Sequence, residues 1–261
     1  MTEWNANEYH RRSDLQRAMA AEQLATLTLR GDERVLDVGC GAGGVTSQIA
    51  DRVPGGAVVG VDPSHDMIAF ATRTFATSAH PNLRFEVGDA RRLPALGKFD
   101  LAVSFNALHW VREQEEALRS IRAALRPGGR AVLRFVPEGA RHSLEDVIEL
   151  VRQEPKWAGY FSTFRQPFAH YTPEEYATMA KQAGWRVEQI QVVNQDWDFG
   201  THEAFVGFCQ ATFVEWTRFV PEGVRDAFIA DVLTQYRPVA AEPGIGPETF
   251  RFLQMEVHLI A

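Results

Sequence analysis

Apolar and polar positions in the first half of the chain follow two alternating rhythms. The runs ERVLDVG (33–39), AVVGVD (57–62), LRFEVGD (83–89), FDLAVSF (99–105) and RAVLRFV (130–136) are short and rich in β-branched and aromatic residues, which predicts strands. Between them, segments 43–53, 66–79 and 113–125 place apolar residues at helical spacing. Ser64 is the expected N-cap of the 66–79 helix, and Pro127-Gly128-Gly129 is expected to stop the 113–125 helix and turn the chain into the next strand. A further amphipathic helix is predicted over 14–28. Strands alternating with helices in this way define an α/β fold, a doubly wound Rossmann-like sheet with helices on both faces.

Beyond residue 136 the rhythm changes. Segment 138–183 reads as helices and loops, 185–193 as a strand, 201–237 as mainly helical, and 250–260 as a closing strand of antiparallel sense. The expected organisation is an N-terminal lid helix (1–30), a ligand-binding core (31–136), a helical cap insertion (137–183), and C-terminal strands that complete the sheet with a second cap segment (184–261). Fifteen of the 28 aromatic residues lie between Trp157 and Phe219. They fit either a cap core or an apolar pocket beneath a helical lid.

A net charge of −7 and the lack of any Lys/Arg-rich run argue against a nucleic-acid partner held by phosphate neutralisation. The two cysteines, Cys40 and Cys209, lie far apart with no CxxC partner, so neither a disulfide framework nor a zinc site is expected. No His/Asp/Glu cluster has ligand spacing, and no metal is expected. The first residues are polar, and no stretch of about 18 apolar residues occurs, so the expectation is a cytoplasmic protein without a membrane partner. Nothing in the sequence sets the oligomeric state.

The sharpest chemical feature is Val35-Leu36-Asp37-Val38-Gly39-Cys40-Gly41-Ala42-Gly43-Gly44, a strand running into a glycine loop that opens a helix. Glycines there allow a tight turn and close backbone approach to a ligand. The loop also satisfies GxGxxG, so a nicotinamide oxidoreductase has to be weighed. Asp37 tilts the balance, because an acid just before the loop suits a cationic group and repels a pyrophosphate. Asp62 ends the second strand, about 20 residues past Gly43, where an acid grips ribose hydroxyls. Gly88-Asp89-Ala90 then puts a third acid at the carboxyl edge of the sheet, within reach of an adenine amine. Three acids along one crevice suit a cation bearing ribose and adenine but no phosphate.

VLDVGCGAG, VVGVD, GDA, FDLAVSF and LRPGG fall in the order and spacing of class I methyltransferases, which the chain resembles. The resemblance implies an S-adenosylmethionine cofactor bound by Asp37, Gly39, Cys40, Gly41, Asp62, Pro63, Met67, Asp89, Ala90 and Ser104. Met67 could equally be core. A narrower resemblance, to juvenile hormone acid and trans-aconitate methyltransferases, rests on Tyr9, Ser13, Leu15 and Gln16, on Ser104-Phe105…Leu108-His109-Trp110, and on Lys156-Trp157. It implies that Gln16 and Trp110 hold the acceptor carboxylate as catalytic residues.

Neutral amide and indole N–H groups can orient a carboxylate without quenching its charge, whereas an arginine would stabilise the ground-state anion. His109 stands as a candidate base for a hydroxyl or amine acceptor, or as a packed histidine. Tyr9, Asn106, Trp157 and Phe161 complete the expected acceptor site. The preferred acceptor is an apolar carboxylic acid. A small polycarboxylate, with Arg152 and Arg165 as further anionic contacts, comes second, and an aromatic metabolite third.

Overall fold

A computed structural model describes residues 14–75 and 80–261. Its centre is a seven-stranded sheet of order β3-β2-β1-β4-β5-β7-β6. The strands are β1 (Arg34–Val38), β2 (Ala57–Asp62), β3 (Leu83–Val87), β4 (Phe99–Phe105), β5 (Leu125–Phe135), β6 (Arg186–Asp198) and β7 (Thr249–Ile260). The first five pair in parallel, and β7 runs antiparallel to both β5 and β6. This is the Rossmann-like sheet expected of the sequence, closed by an antiparallel strand.

Alternation along the strands divides the core between the two sheet faces. Val35, Val58, Leu101 and Val103 point to one side, against α1 (Asp14–Thr26), α2 (Gly44–Arg52) and α3 (His65–Thr74) through Leu24, Ile49 and Ile68. Leu36, Val59, Ala102 and Leu133 point to the other, against α4 (Gln114–Ala124) and α6 (Pro173–Gln182) through Leu118, Ile121 and Tyr176. Helix α6 was expected within the cap. It covers the sheet instead, because Tyr176 and Ala180 put its apolar stripe on Phe135 and β7.

The cap is made from two separate stretches. Helix α5 (Leu144–Val151) and residues 157–168 join α7 (His202–Thr212), α8 (Val214–Thr217) and α9 (Arg225–Ala240) in one cluster. This cluster stands on Phe250 and Phe252, at the start of β7. The β6–β7 ladder is longer than predicted and extends to Asp198↔Thr249, which carries the cap out over the carboxyl edge of the parallel strands.

Helix α1 bridges the two bodies. Leu15 is buried in the cap cluster, and Leu24 and Leu27 are buried against α2. Its last carbonyls are satisfied from outside: Arg52 donates to Leu24 O and Leu27 O. Glu22 accepts from the buried Arg134 at 2.9 Å and from Gln195 at 3.1 Å, which ties the helix to β5 and β6.

One local expectation fails. Pro127-Gly128-Gly129 does end helix α4, but the strand begins ahead of it: Leu125 already pairs with Phe99, and a register shift lies between there and the next pairs. Gly128 takes φ +78°, and the chain end closes over the kink, with Gly128 N donating to Ala261 O and Ala261 N donating to Gly129 O.

Candidate active site

Strand β1 delivers a turn that only glycine fits. Gly39 has φ +79°, and a Cβ there would lie 2.2 Å from the Cβ of Ala107, so the loop after β1 is pressed directly against the loop after β4. Gly41 has φ +51°, and a Cβ on it would meet nothing within 4 Å. The backbone is therefore bare where it borders a cavity of about 830 Å³ between the sheet edge and the cap. Gly39 N and Cys40 N donate to Val61 O at 2.7 and 3.1 Å, which locks the loop to the end of β2.

The acids sit around this loop. One oxygen of Asp62 accepts from Gly41 N at 3.0 Å and the other from Ser64 N at 2.9 Å, so the carboxylate is held at the rim of the turn. Ser64 caps α3, as expected, by accepting from Met67 N. Asp37 is buried and accepts from Thr46 Oγ1 at 2.7 Å. Burial raises its carboxyl pKa to about 7, with the Thr46 hydrogen bond pulling the other way and the charge of Asp62 adding to the rise. The Cys40 thiol is pushed well above its ordinary value, by burial first and then by Asp37 and Asp62. Cys40 therefore lines the loop as a neutral group.

Asp89, in the segment after β3, also lines the cavity. Arg91 Nε donates to both of its oxygens at 3.0 and 3.1 Å and holds its carboxyl below the usual range, against some desolvation by burial. Pro63, Met67 and Ala90 also line the cavity. Met67 is at once core and wall: it is buried with Ala42 and Phe70 and still borders the opening.

Strand β4 supplies the opposite wall. Asn106 is the one non-glycine residue with positive φ (+56°) among the described residues, a conformation asparagine tolerates better than most. Its amide oxygen accepts from Gln254 at 2.7 Å, and its N–H donates to Arg134 O. The following single turn, Leu108–Trp110, presents Trp110 to the cavity. The Trp110 ring packs edge-on against Trp216 and Phe168 of the cap, with centroids 5.8 and 6.4 Å away.

Several expected site residues stand elsewhere. Ser104 is fully buried and donates to Val38 O at 2.7 Å, stapling β4 to β1 beneath the cavity floor. Trp157 donates its indole N–H to Asp231 and packs edge-on against Phe228, while Phe161 packs on Phe219 and Phe228. Both belong to the cap core and neither borders the cavity.

His109 is buried and does not line the cavity. Burial, with the charge of His170 beside it, lowers its pKa to about 3, so it is neutral and a poor proton acceptor. Arg152 is turned to Glu149 and the face of Phe164, and neither it nor Arg165 lines the cavity. Tyr9 and the side chain of Gln16 lie outside the described residues. Gln23 and Glu215, which no motif marked, do line the cavity.

The methyltransferase domain family matches residues 35–129. A trans-aconitate 2-methyltransferase of Deinococcus radiodurans is 34% identical over 67% of this chain and 67% of its own length. One of Delftia acidovorans is 30% identical over 90% and 88% respectively. A juvenile hormone acid O-methyltransferase of Drosophila melanogaster is 30% identical over 63% of this chain and 58% of its own. Among solved structures, a Bacillus halodurans protein described as a methyltransferase superposes with a TM-score of 0.64 at 20% identity, covering 95% of this chain and 98% of that one. A Haemonchus contortus phosphoethanolamine N-methyltransferase bound to S-adenosylhomocysteine gives 0.63 at 17% identity, covering 98% and 56%.

The chain belongs to the class I S-adenosylmethionine-dependent methyltransferases. It is an enzyme of that class, with S-adenosylmethionine as cofactor, and the residues present fit that group. Gly39 and Gly41 leave a cradle that any Cβ would fill or strain, and the carboxyl groups of Asp37 and Asp62 stand beside it.

A pH dependence follows from Asp37. Below about pH 7 the free protein holds Asp37 protonated, whereas an ammonium group beside it favours the carboxylate. Binding then releases a proton, so affinity rises with pH, by at most about tenfold per unit below 7. The gain should end near pH 7, above which Asp37 is already ionised in the free protein while an amino-acid ammonium keeps its proton. Calorimetric titration with S-adenosylhomocysteine between pH 5.5 and 8 checks this, and Asp37→Asn should flatten the profile.

Proposed function

We propose that the chain methylates the carboxylate oxygen of a small, largely apolar organic acid. The observation that carries this reading is the composition of the cavity beside Trp110. Phe105, Leu108, Val111 and Pro167 give it apolar walls, and the polar side chains that join them include the amide of Asn106. S-adenosylmethionine supplies an electrophilic methyl on a sulfonium. The chain's own residues have to exclude water and hold an acceptor oxygen in line. A carboxylate is anionic before it arrives, so it needs no base, and His109, neutral and off the cavity wall, is not required to be one.

The two arginines expected to favour a polyanion are not on the wall, and the charges that are there work against it in part. Arg152 and Arg165 are elsewhere, Arg91 is held by Asp89 and Glu113, and Glu215 would repel a second or third carboxylate. The names of the relatives support the acid class, since trans-aconitate and juvenile hormone acid are both carboxylic acids. A polycarboxylate is the second reading, favoured by the trans-aconitate relatives and by the exposed Arg112 at the cavity's rim.

Turnover with methyl-labelled S-adenosylmethionine against octanoate, a terpenoid monoacid and trans-aconitate separates the two. The first reading expects kcat/KM to be highest for an apolar monoacid. A preference for trans-aconitate would establish the second.

A further inference from the structure

Gln23 is buried to 3% exposure on α1, borders the cavity, and leaves its amide nitrogen without a hydrogen-bond partner. An unmade bond on a buried amide is costly, and such groups are almost always satisfied in the functional state. The local backbone does not need this side chain. Thr26 Oγ1 and Leu27 N both take the Gln23 carbonyl, and the end of the helix is satisfied by Arg52. The amide is thus free to serve a ligand.

Its position says which ligand group. The half of α1 that carries Gln23 packs on α2 through Leu24 and Leu27, and α2 is the helix opened by the glycine loop. Gln23 therefore stands over the same end of the cavity as Asp37 and Gly39. The amino-acid end of the cofactor carries both an ammonium and a carboxylate. Asp37 suits the first and would repel the second. The neighbouring hydroxyls are already used: Thr46 donates to Asp37 and Ser47 to Gly44 O.

We infer that Gln23 is a cofactor-binding residue whose amide N–H groups hold the methionine carboxylate of S-adenosylmethionine. Lid and cofactor are thereby coupled: the carboxylate supplies the partner that the α1 amide lacks, and binding clamps the lid between cap and core. A hydrogen bond from a neutral amide to a carboxylate is charge-assisted, and its loss should be read as about tenfold or more in affinity.

Gln23→Met keeps the length of the side chain and removes both N–H groups. Titration of this variant with S-adenosylhomocysteine should show a dissociation constant raised about tenfold or more. Titration with 5′-methylthioadenosine, which lacks the amino-acid tail, should match the unmodified protein. Without ligand the variant should melt no lower than the parent, because an unsatisfied donor has been replaced by an apolar group.

Gln23→Asn, which withdraws the amide by one methylene, should show the same selective loss if the Met variant folds poorly. Unchanged affinity for S-adenosylhomocysteine would overturn the assignment, and so would an equal loss for 5′-methylthioadenosine. In the first case the amide serves another ligand, and in the second it is structural.

Discussion

Asp62→Ala is expected to weaken S-adenosylmethionine and S-adenosylhomocysteine binding by about a hundredfold or more. This rests on the reading that Asp62, at the end of β2, accepts from the ribose hydroxyls, each charge-assisted hydrogen bond being worth roughly 1.5–3 kcal/mol. Every 1.4 kcal/mol is about tenfold, so two such bonds account for the expected loss. The structure adds a second contribution. Asp62 also accepts from Gly41 N and Ser64 N, so its removal frees the glycine turn and the entry to α3. Asp62→Asn retains one acceptor oxygen and should fall between the two. Calorimetry on variants whose melting shows them folded reads the effect. An unchanged dissociation constant would place the ribose elsewhere.

The second large effect is expected of Trp110→Phe, on the reading that Trp110 orients the acceptor carboxylate. Phenylalanine keeps an aromatic ring in contact with Trp216 and Phe168, so the wall between cavity and cap survives. The indole N–H is lost. Misplacing the attacking oxygen by about 1 Å can cost about a hundredfold in rate, so turnover should fall on that scale. Affinity for S-adenosylhomocysteine should stay close to that of the parent, because Trp110 belongs to the loop after β4 and not to the glycine turn. Single-turnover rates and calorimetry on the same preparation separate the two effects. A fall in cofactor affinity as large as the fall in rate would show that the ring only props the site open.

The glycine-loop side of the cavity was legible because its determinants are local in sequence. A glycine that must take φ +79° beside Ala107, and an acid fixed at the end of β2, leave a signature within about 30 residues. Non-local determinants were harder to read. Ser104 lies at the carboxyl end of β4, where site residues gather, but the pleat turns its hydroxyl to Val38 O. Trp157 and Phe161 fall in an aromatic-rich stretch that could have formed either pocket or core. They became core because α9, from a segment some 60 residues further along the chain, brings Phe228 against both rings.

Gln23 carried no signal at all. It is one polar residue in a weakly amphipathic helix, and it is buried on the half of α1 that packs against α2, a contact between distant segments. The 125–129 kink was misplaced for a related reason. Proline and glycine end the helix locally, but pairing of Leu125 with Phe99 and closure by Ala261 make the segment extended.

The central claim is that the methyl group arrives on a carboxylate oxygen, and the chemical stability of the product tests it most directly. Labelled product from methyl-labelled S-adenosylmethionine and the best acid acceptor should be a methyl ester. Mild alkali should then release the label as methanol and regenerate the acid. Label that survives alkali, in an ether or a methylamine, would contradict the account.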